Sequence, residues 1–145
     1  MIKSEHHSKL ENSYLSAPIN KFYLSEIKIS EGKAVVTIEV KEDFFHAANA
    51  VHGSVYFKML DDAAFFAANS IVEDVFVLTV SFQTELLQPT NKGKLIAKGE
   101  LLKNMGNKLE ARAKLFNEEG KLIATGSGVF VKSKILLAEI NSYKI

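Results

Sequence analysis

A continuous apolar stretch with two carboxylates near its middle constrains the fold of this chain more than any other feature. Residues 52–69 read HGSVYFKMLDDAAFFAAN. After Gly53 this stretch contains no proline and no further glycine, and Ala, Met, Leu and Phe dominate, so length and propensity favour a helix over a strand. A helix that is apolar on nearly every face is normally buried. We therefore predict a long central helix here.

The two carboxylates, Asp61 and Asp62, are the first candidates for chemistry. An aspartate is almost never fully buried without a partner or a task, so a carboxylate on a buried helix needs a local reason. Asp62 is interpreted as the solvated or structurally paired neighbour of Asp61. The residues alone also allow the reverse assignment.

Composition limits the class of protein. A chain of 145 residues with 47% hydrophobic content fits about one domain, and we predict a single domain over residues 1–145 with a core at about 20–132. Eighteen basic residues against seventeen acidic ones give a net charge of +1, which predicts neither a nucleic-acid nor a membrane partner. The chain start lacks the apolar core of a signal peptide, so we expect a cytoplasmic protein. Because cysteine is absent, disulfides, thiolate zinc sites and a cysteine nucleophile are excluded.

Residues of alternating polarity on both sides of the helix predict strands. They lie at about 22–29, 33–41, 75–87, 95–102, 108–115 and 121–132. In the strand at 75–87, alternation places Phe76, Leu78, Val80 and Phe82 on one face and Thr79, Ser81 and Gln83 on the other. A short helix is expected before Pro18, and residues 133–145 are expected to form a short amphipathic helix or a loose tail.

The order of two strands, a long helix and four strands predicts an α+β fold, with an antiparallel sheet of five to six strands wrapped around one central helix. A single sheet leaves the other side of an apolar helix uncovered, so a second copy of the chain is expected to cover it. We predict at least a homodimer. The sequence leaves open whether dimers pair into tetramers.

The segment from His46 to Asn69, the run FVLTVSFQTELLQP, a glycine-centred hairpin and a last strand rich in small residues resemble the hotdog-fold thioesterases of the phenylacetate-degradation (PaaI-like) type. The resemblance covers roughly residues 20–132. Its most specific element is the pair His52-Gly53 followed, nine positions after the histidine, by the acidic residue Asp61. It implies hydrolysis of an acyl-coenzyme A thioester, with coenzyme A as part of the substrate and no further cofactor.

The resemblance also implies residue roles. Asp61 acts as general base or as direct nucleophile, the Gly53 amide binds the carbonyl oxygen, and the Thr79 hydroxyl lies beside the acid. His46 stands where the family usually has Asn or Gln, so its role is open, and Asn49 is the alternative. The further candidates for substrate binding are Asn49, His52, Ser54, Asp62, Lys103 and Asn104.

Geometry adds one expectation to these roles. Asp61 lies more than two helical turns beyond Gly53, so one subunit would supply the amide and its partner the acid. His52 is interpreted equally well as a residue that only caps the turn. The scattered histidines support no metal site, and His6 and His7, in a polar terminus, are predicted to be inert.

Three functions are compatible with the chain. The leading hypothesis is an acyl-coenzyme A thioesterase that uses Asp61. The second is an acyl-coenzyme A binding or regulatory protein that keeps the pocket without efficient catalysis, motivated by His46. The third is a hotdog hydratase or dehydratase that uses His46 and Asp61, and it ranks last because those enzymes place their acid closer to the glycine turn.

Overall fold

The structure, a computed structural model, describes residues 4–145. Two helices open this part of the chain, and two strands, a long helix and four strands follow. The helices are α1 Glu5–Ser16, α2 Pro18–Tyr23 and α3 Gly53–Asn69, and the strands are β1 Glu26–Ser30, β2 Lys33–Glu39, β3 Val75–Leu86, β4 Lys94–Asn104, β5 Lys108–Phe116 and β6 Leu122–Leu136. Short 3-10 turns occupy Glu42–Phe44 and Leu137–Glu139.

The six strands form one antiparallel sheet in the order β1-β2-β4-β5-β6-β3, and α3 packs against all six of them. The predicted α+β fold, a sheet wrapped around one long helix, is confirmed. Helix and sheet approach each other closely at Gly99 on β4, where an added Cβ would lie 2.2 Å from the carbonyl oxygen of Ala63. Only a residue without a side chain fits at this position, because real Cβ atoms do not come so close to backbone.

The long helix is buried along most of its length, as its composition predicts. Its apolar side chains from Val55 to Ala68 supply the centre of the core. Its last residue, Asn69, is fully buried and fixes the helix to the next strand. The Asn69 side chain donates to the carbonyls of Val72 and Val75, each at 3.1 Å, and accepts the Val77 N–H at 2.9 Å. Among residues 4–145, no helix combines the length and apolar content that a membrane span requires.

The first and last predicted strands have different bounds in the structure. Phe22 lies in α2 and not in a strand, because Pro18 begins a helix that continues to Tyr23 and ends at Leu24 in the left-handed conformation (φ 55°). β1 therefore starts only at Glu26. β6 continues beyond the predicted end at 132, because Leu136 still pairs with Val75.

The predicted faces of β3 are wrong around a β-bulge. Thr79 pairs with Phe130 and Ser81 with Val129, so Val80 is an additional residue without a partner opposite it. Leu78 and Val80 are 44% and 61% exposed, although alternation predicts them on the apolar face. The additional residue changes which side chains of β3 face the helix, and Thr79 faces α3.

Candidate active site

The two groups that the sequence singles out for chemistry lie at different places along α3. Gly53 is its first residue, and Asp61 follows eight residues later. With a rise of about 1.5 Å per residue, the two positions are about 12 Å apart along the helix. Within one chain, they cannot contact the same carbonyl group.

Asp61 is a half-buried carboxylate that accepts a hydrogen bond from the next strand, β3. The Thr79 hydroxyl donates to Asp61 Oδ1 at 3.0 Å. Burial raises the pKa of Asp61 to about 6, and the nearby Asp62 carboxylate adds to this rise, whereas the Thr79 hydrogen bond opposes it. A carboxyl with this pKa is ionised at neutral pH and is a stronger base than an exposed aspartate.

The neighbouring carboxylate, Asp62, is held in a polar network that joins the N-terminal helices to α3. Its Oδ2 accepts from the Lys58 ammonium and, at 2.7 Å, from the Tyr14 hydroxyl. Lys58 also donates to Asn20 Oδ1 at 2.6 Å. Burial raises the pKa of Asp62, and Lys58 offsets part of this rise. Asp62 is thus paired with protein groups, whereas Thr79 is the only donor to Asp61 among residues 4–145.

The start of α3 is capped by the residue before it. His52 Nδ1 accepts the Ser54 N–H at 3.0 Å and lies 2.8 Å from the Ser54 hydroxyl. The Gly53 N–H makes no hydrogen bond to any of residues 4–145. An unpaired N–H at the first position of a helix lies at the positive end of the helix dipole and is available to an oxygen from outside.

His46 and Asn49 lie in the loop before α3, and both are exposed. His46 Nδ1 accepts the Ala48 N–H at 3.0 Å, so in the neutral ring the proton is on Nε2, which can donate. The ring lies 6.5 Å from the His52 ring, measured between centroids. Asn49 has a left-handed backbone (φ 65°) that turns the loop. The structure therefore groups His46 with the helix start and not with Asp61.

The helix start and Asp61 line two separate cavities. One of about 260 Å³ is lined by His46 and Gly53, together with Tyr56 and residues 86–89. The other, of about 510 Å³, includes Asp61 and Asp62 in its wall. Lys103 and Asn104 line neither of them. Both are exposed at the end of β4, where Lys103 lies 3.9 Å from Glu110 and Asn104 Oδ1 accepts the Gly106 N–H at 3.1 Å.

His6 and His7 have structural contacts that the sequence did not predict, while their chemical inertness stays a prediction. Both side chains are buried on α1 against the end of α3: His6 Nε2 lies 2.9 Å from the Asn69 carbonyl oxygen, and His7 Nε2 lies 3.1 Å from that of Ser70. No local pattern in the sequence indicates these contacts.

The Lys58–Asp62 ion pair, by contrast, has a signal in the sequence. The two residues have the i,i+4 spacing of a helical ion pair, which the sequence analysis did not use. Residues 4–145 contain no cluster of three or more His, Asp or Glu residues that could hold a metal ion.

Comparison with known proteins decides the family. The family model of the thioesterase superfamily matches residues 48–124, a segment that includes the helix start, Asp61 and Thr79. The chain belongs to the thioesterase superfamily. Two relatives carry the name "Putative esterase". The one from Saccharolobus solfataricus is 25% identical over 75% of this chain and 79% of its own length. The one from Archaeoglobus fulgidus is 32% identical over 70% of this chain and 66% of its own length.

The fold is shared with a solved structure of this type. The E. coli PaaI protein, from the phenylacetic acid degradation operon, superposes with a TM-score of 0.81 at 21% identity, over 92% of this chain and 99% of that one. The resemblance to hotdog thioesterases that the sequence suggested is thereby confirmed. As a member of the thioesterase superfamily, the chain is assigned to thioester hydrolysis as a general activity.

Proposed function

We propose that this protein is an acyl-coenzyme A thioesterase whose active site is formed by two copies of the chain, with Asp61 from one copy and the Gly53 amide from the other. The observation that carries the proposal is the state of Asp61. It is a half-buried carboxylate with a pKa of about 6, a cavity beside it and, among the described residues, a single donor in Thr79. Its neighbour Asp62 is already paired.

The reaction breaks the C–S bond of the thioester. In one route, Asp61 removes a proton from water, the hydroxide adds to the carbonyl carbon, and the proton goes to the departing coenzyme A thiolate. In the other route, the carboxylate attacks the carbonyl carbon itself and displaces the coenzyme A thiolate. Water then hydrolyses the resulting mixed anhydride, and the proton released in that step balances the one that the thiolate takes up. Both routes regenerate Asp61 and release a carboxylic acid and a thiol.

The oxyanion that forms on the carbonyl needs donors. The Gly53 N–H pairs with none of residues 4–145 and lies at the positive end of α3, and His46, whose Nε2 can donate, lines the same cavity. Removal of one such donor costs roughly a hundredfold to a thousandfold in rate. Because Gly53 and Asp61 of one chain are about 12 Å apart, the partner chain has to supply one of the two groups.

The edges of the sheet favour an assembly through β3. β1, at one edge, presents the charged residues Glu26 and Lys28 on its exposed face. β3, at the other edge, exposes Leu78, Val80 and Leu86 and is 12 residues long. Long edge strands with exposed apolar side chains are sites of pairing with another chain. A homodimer through β3 would cover these residues.

Mixing two inactive variants tests the composite site. Asp61→Asn lacks the acid, and Gly53→Pro lacks the N–H donor, while proline is well tolerated at the first position of a helix. A mixed dimer contains one site in which both groups are intact and one in which both are lost. When equal amounts of the two variants are co-refolded, half of the dimers are mixed. Since each mixed dimer has one intact site of two, about a quarter of the wild-type activity should return. If the mixture is as inactive as each variant alone, the composite site is refuted.

The matched control for the proline variant is Gly53→Ala. Both substitutions place a Cβ about as close to the Leu86 side chain, which is 3.0 Å away at its flexible end. Alanine keeps the N–H and proline removes it. We expect acyl-coenzyme A hydrolysis to fall roughly a hundredfold or more in Gly53→Pro relative to Gly53→Ala. Equal activity of the two variants would contradict a role for the amide.

A second candidate is an acyl-coenzyme A binding protein without efficient hydrolysis. The observation that favours it is His46, which replaces the Asn or Gln of the resemblance. An assay over acetyl, octanoyl, dodecanoyl and phenylacetyl coenzyme A separates the two functions. Binding without turnover of any of these esters would support the second candidate and refute the first.

A further inference from the structure

The cavity beside Asp61 has walls from both ends of the chain. Its volume is about 510 Å³, within the range of about 300–1,000 Å³ that ligand pockets occupy. One wall is the junction of α1 and α2 around Pro18 and Ile19, and another is the C-terminal segment 140–142. The floor is aromatic, with Phe65, Phe66 and Phe76. Neither terminal wall lies within residues 48–124, which match the thioesterase superfamily.

Hydrogen bonds fix the N-terminal wall to the central helix. Tyr14 donates to Asp62 at 2.7 Å, and Asn20 accepts from Lys58 at 2.6 Å and donates to the Tyr14 carbonyl at 2.7 Å. These contacts are buried or partly buried. They join α1 and α2 to α3, and the wall is therefore a defined part of the fold.

The C-terminal wall is fixed in the same way. The Asn12 side chain donates to the Lys144 carbonyl at 2.6 Å, and the Tyr143 hydroxyl lies 2.6 Å from His6 Nδ1. Both contacts connect α1 with the end of the chain. The open cavity is thus lined by elements that hold each other in place.

We propose that this cavity binds the hydrocarbon part of the acyl group, and that Ile19 on α2 limits the length of the chain that fits. The inference rests on the proposed thioesterase function. Asp61 is at the cavity wall, so a carbonyl group beside it directs its acyl substituent into this space. The other charged groups in the wall, Lys58 and Asp62, are paired with each other and leave no partner for a charged ligand.

The substrate class follows from the character of the walls. An apolar acyl group of medium length, or one that ends in an aromatic ring, would bury its surface against the phenylalanines, whereas acetyl would leave most of the cavity empty. Each buried methylene contributes about 0.8 kcal/mol, which corresponds to about a fourfold rise in kcat/KM. We expect kcat/KM to rise from acetyl through butanoyl to octanoyl coenzyme A and to level off once the cavity is filled.

The specificity test uses two tryptophan variants of the N-terminal helices. Ile19 is 58% exposed and lines the cavity, and Leu15 is 46% exposed and does not. Ile19→Trp adds bulk at the cavity, so kcat/KM for dodecanoyl coenzyme A should fall roughly tenfold or more, with a smaller loss for butanoyl. Leu15→Trp should keep the wild-type chain-length profile. A profile that is flat, or that the two variants change equally, would overturn the inference.

A binding measurement separates this inference from the proposed function. Dodecanoate is titrated calorimetrically into Asp61→Asn, which removes the charge that would repel the carboxylate of the probe. Binding that Ile19→Trp weakens and Leu15→Trp does not would support the acyl cavity, even if the wild-type protein hydrolyses no ester. Hydrolysis by the wild type, together with no dodecanoate binding, would overturn the inference and leave the thioesterase proposal intact.

Discussion

Replacement of Asp61 by Asn should make the protein more stable while it removes the proposed activity. The pKa of Asp61 is about 6 in the folded chain, against an ordinary value of 3.8. A group whose pKa is raised on folding stabilises the fold fully below its unfolded value, and this contribution is lost as the pH rises through the folded value. Above about pH 6, the ionised Asp61 carboxylate therefore costs stability, and a neutral amide does not carry that cost.

The magnitude follows from the size of the pKa shift. A rise of about two units corresponds to about 3 kcal/mol at high pH, and solvent screening of a half-buried group reduces this to roughly 1–2 kcal/mol. The asparagine Oδ1 can still accept from Thr79, so the local hydrogen bond is kept. For a chain of 145 residues, we expect Tm to rise by roughly 3–7 °C at pH 8.

Thermal and denaturant unfolding of wild type and Asp61→Asn at pH 8 and pH 4 measure the effect. The difference between the two proteins should be largest at pH 8 and should shrink toward pH 4, where Asp61 is mostly protonated. Asp62→Asn is the matched control. It breaks a largely buried pair with Lys58 and should destabilise the protein by roughly 3 kcal/mol. If Asp61→Asn is no more stable than wild type at pH 8, burial does not raise its pKa and the reasoning fails.

Three further predictions follow from the same contacts. Hydrolytic kcat/KM should fall with decreasing pH below about 6, as one proton neutralises Asp61; a pH–rate profile without this inflection would contradict its role as base or nucleophile. Thr79→Val removes a donor that lowers the pKa of Asp61, so the inflection should move upward by up to about one pH unit, whereas Thr79→Ser should keep it. Burial lowers the pKa of His6 below its ordinary value of 6.5. The unfolded chain therefore binds a proton that the folded chain does not, so His6 contributes a decrease in the free energy of unfolding as the pH falls below about 6.5, opposite in sign to the contribution of Asp61. Denaturant titrations of wild type and His6→Gln isolate this contribution: the variant should lose less stability, or gain more, toward low pH, and an identical pH dependence of the two proteins would show that His6 does not contribute.

The sequence itself predicts the parts of this structure that depend on neighbouring residues. The composition of residues 53–69 is sufficient for the central helix, and alternation is sufficient for six strands in the right order. The main errors arise where one residue changes the local pattern. Pro18 begins a helix where Phe22 was expected to open a strand, and the bulge at Val80 reverses the faces of β3.

Some features of the candidate site are also visible in the local sequence, and others are not. The His52-Gly53 pair and the later Asp61 are visible as a local motif, so their place on one helix follows from the sequence. Their separation into two cavities is also a consequence of helical rise. The bulge that follows Thr79, in contrast, is not revealed by alternation alone, although the resemblance places Thr79 beside Asp61.

The sequence by itself thus determined the fold class, the family and the residues at which chemistry is expected, because each rests on periodicity or on a short motif. Only the tertiary structure decided which carboxylate is paired, since the Tyr14 hydroxyl that contacts Asp62 is 48 positions away in the chain. It also decided that residues from both ends of the chain line a cavity beside Asp61. Contacts over such separations depend on how the sheet and the helices pack, and no local pattern of residues encodes them.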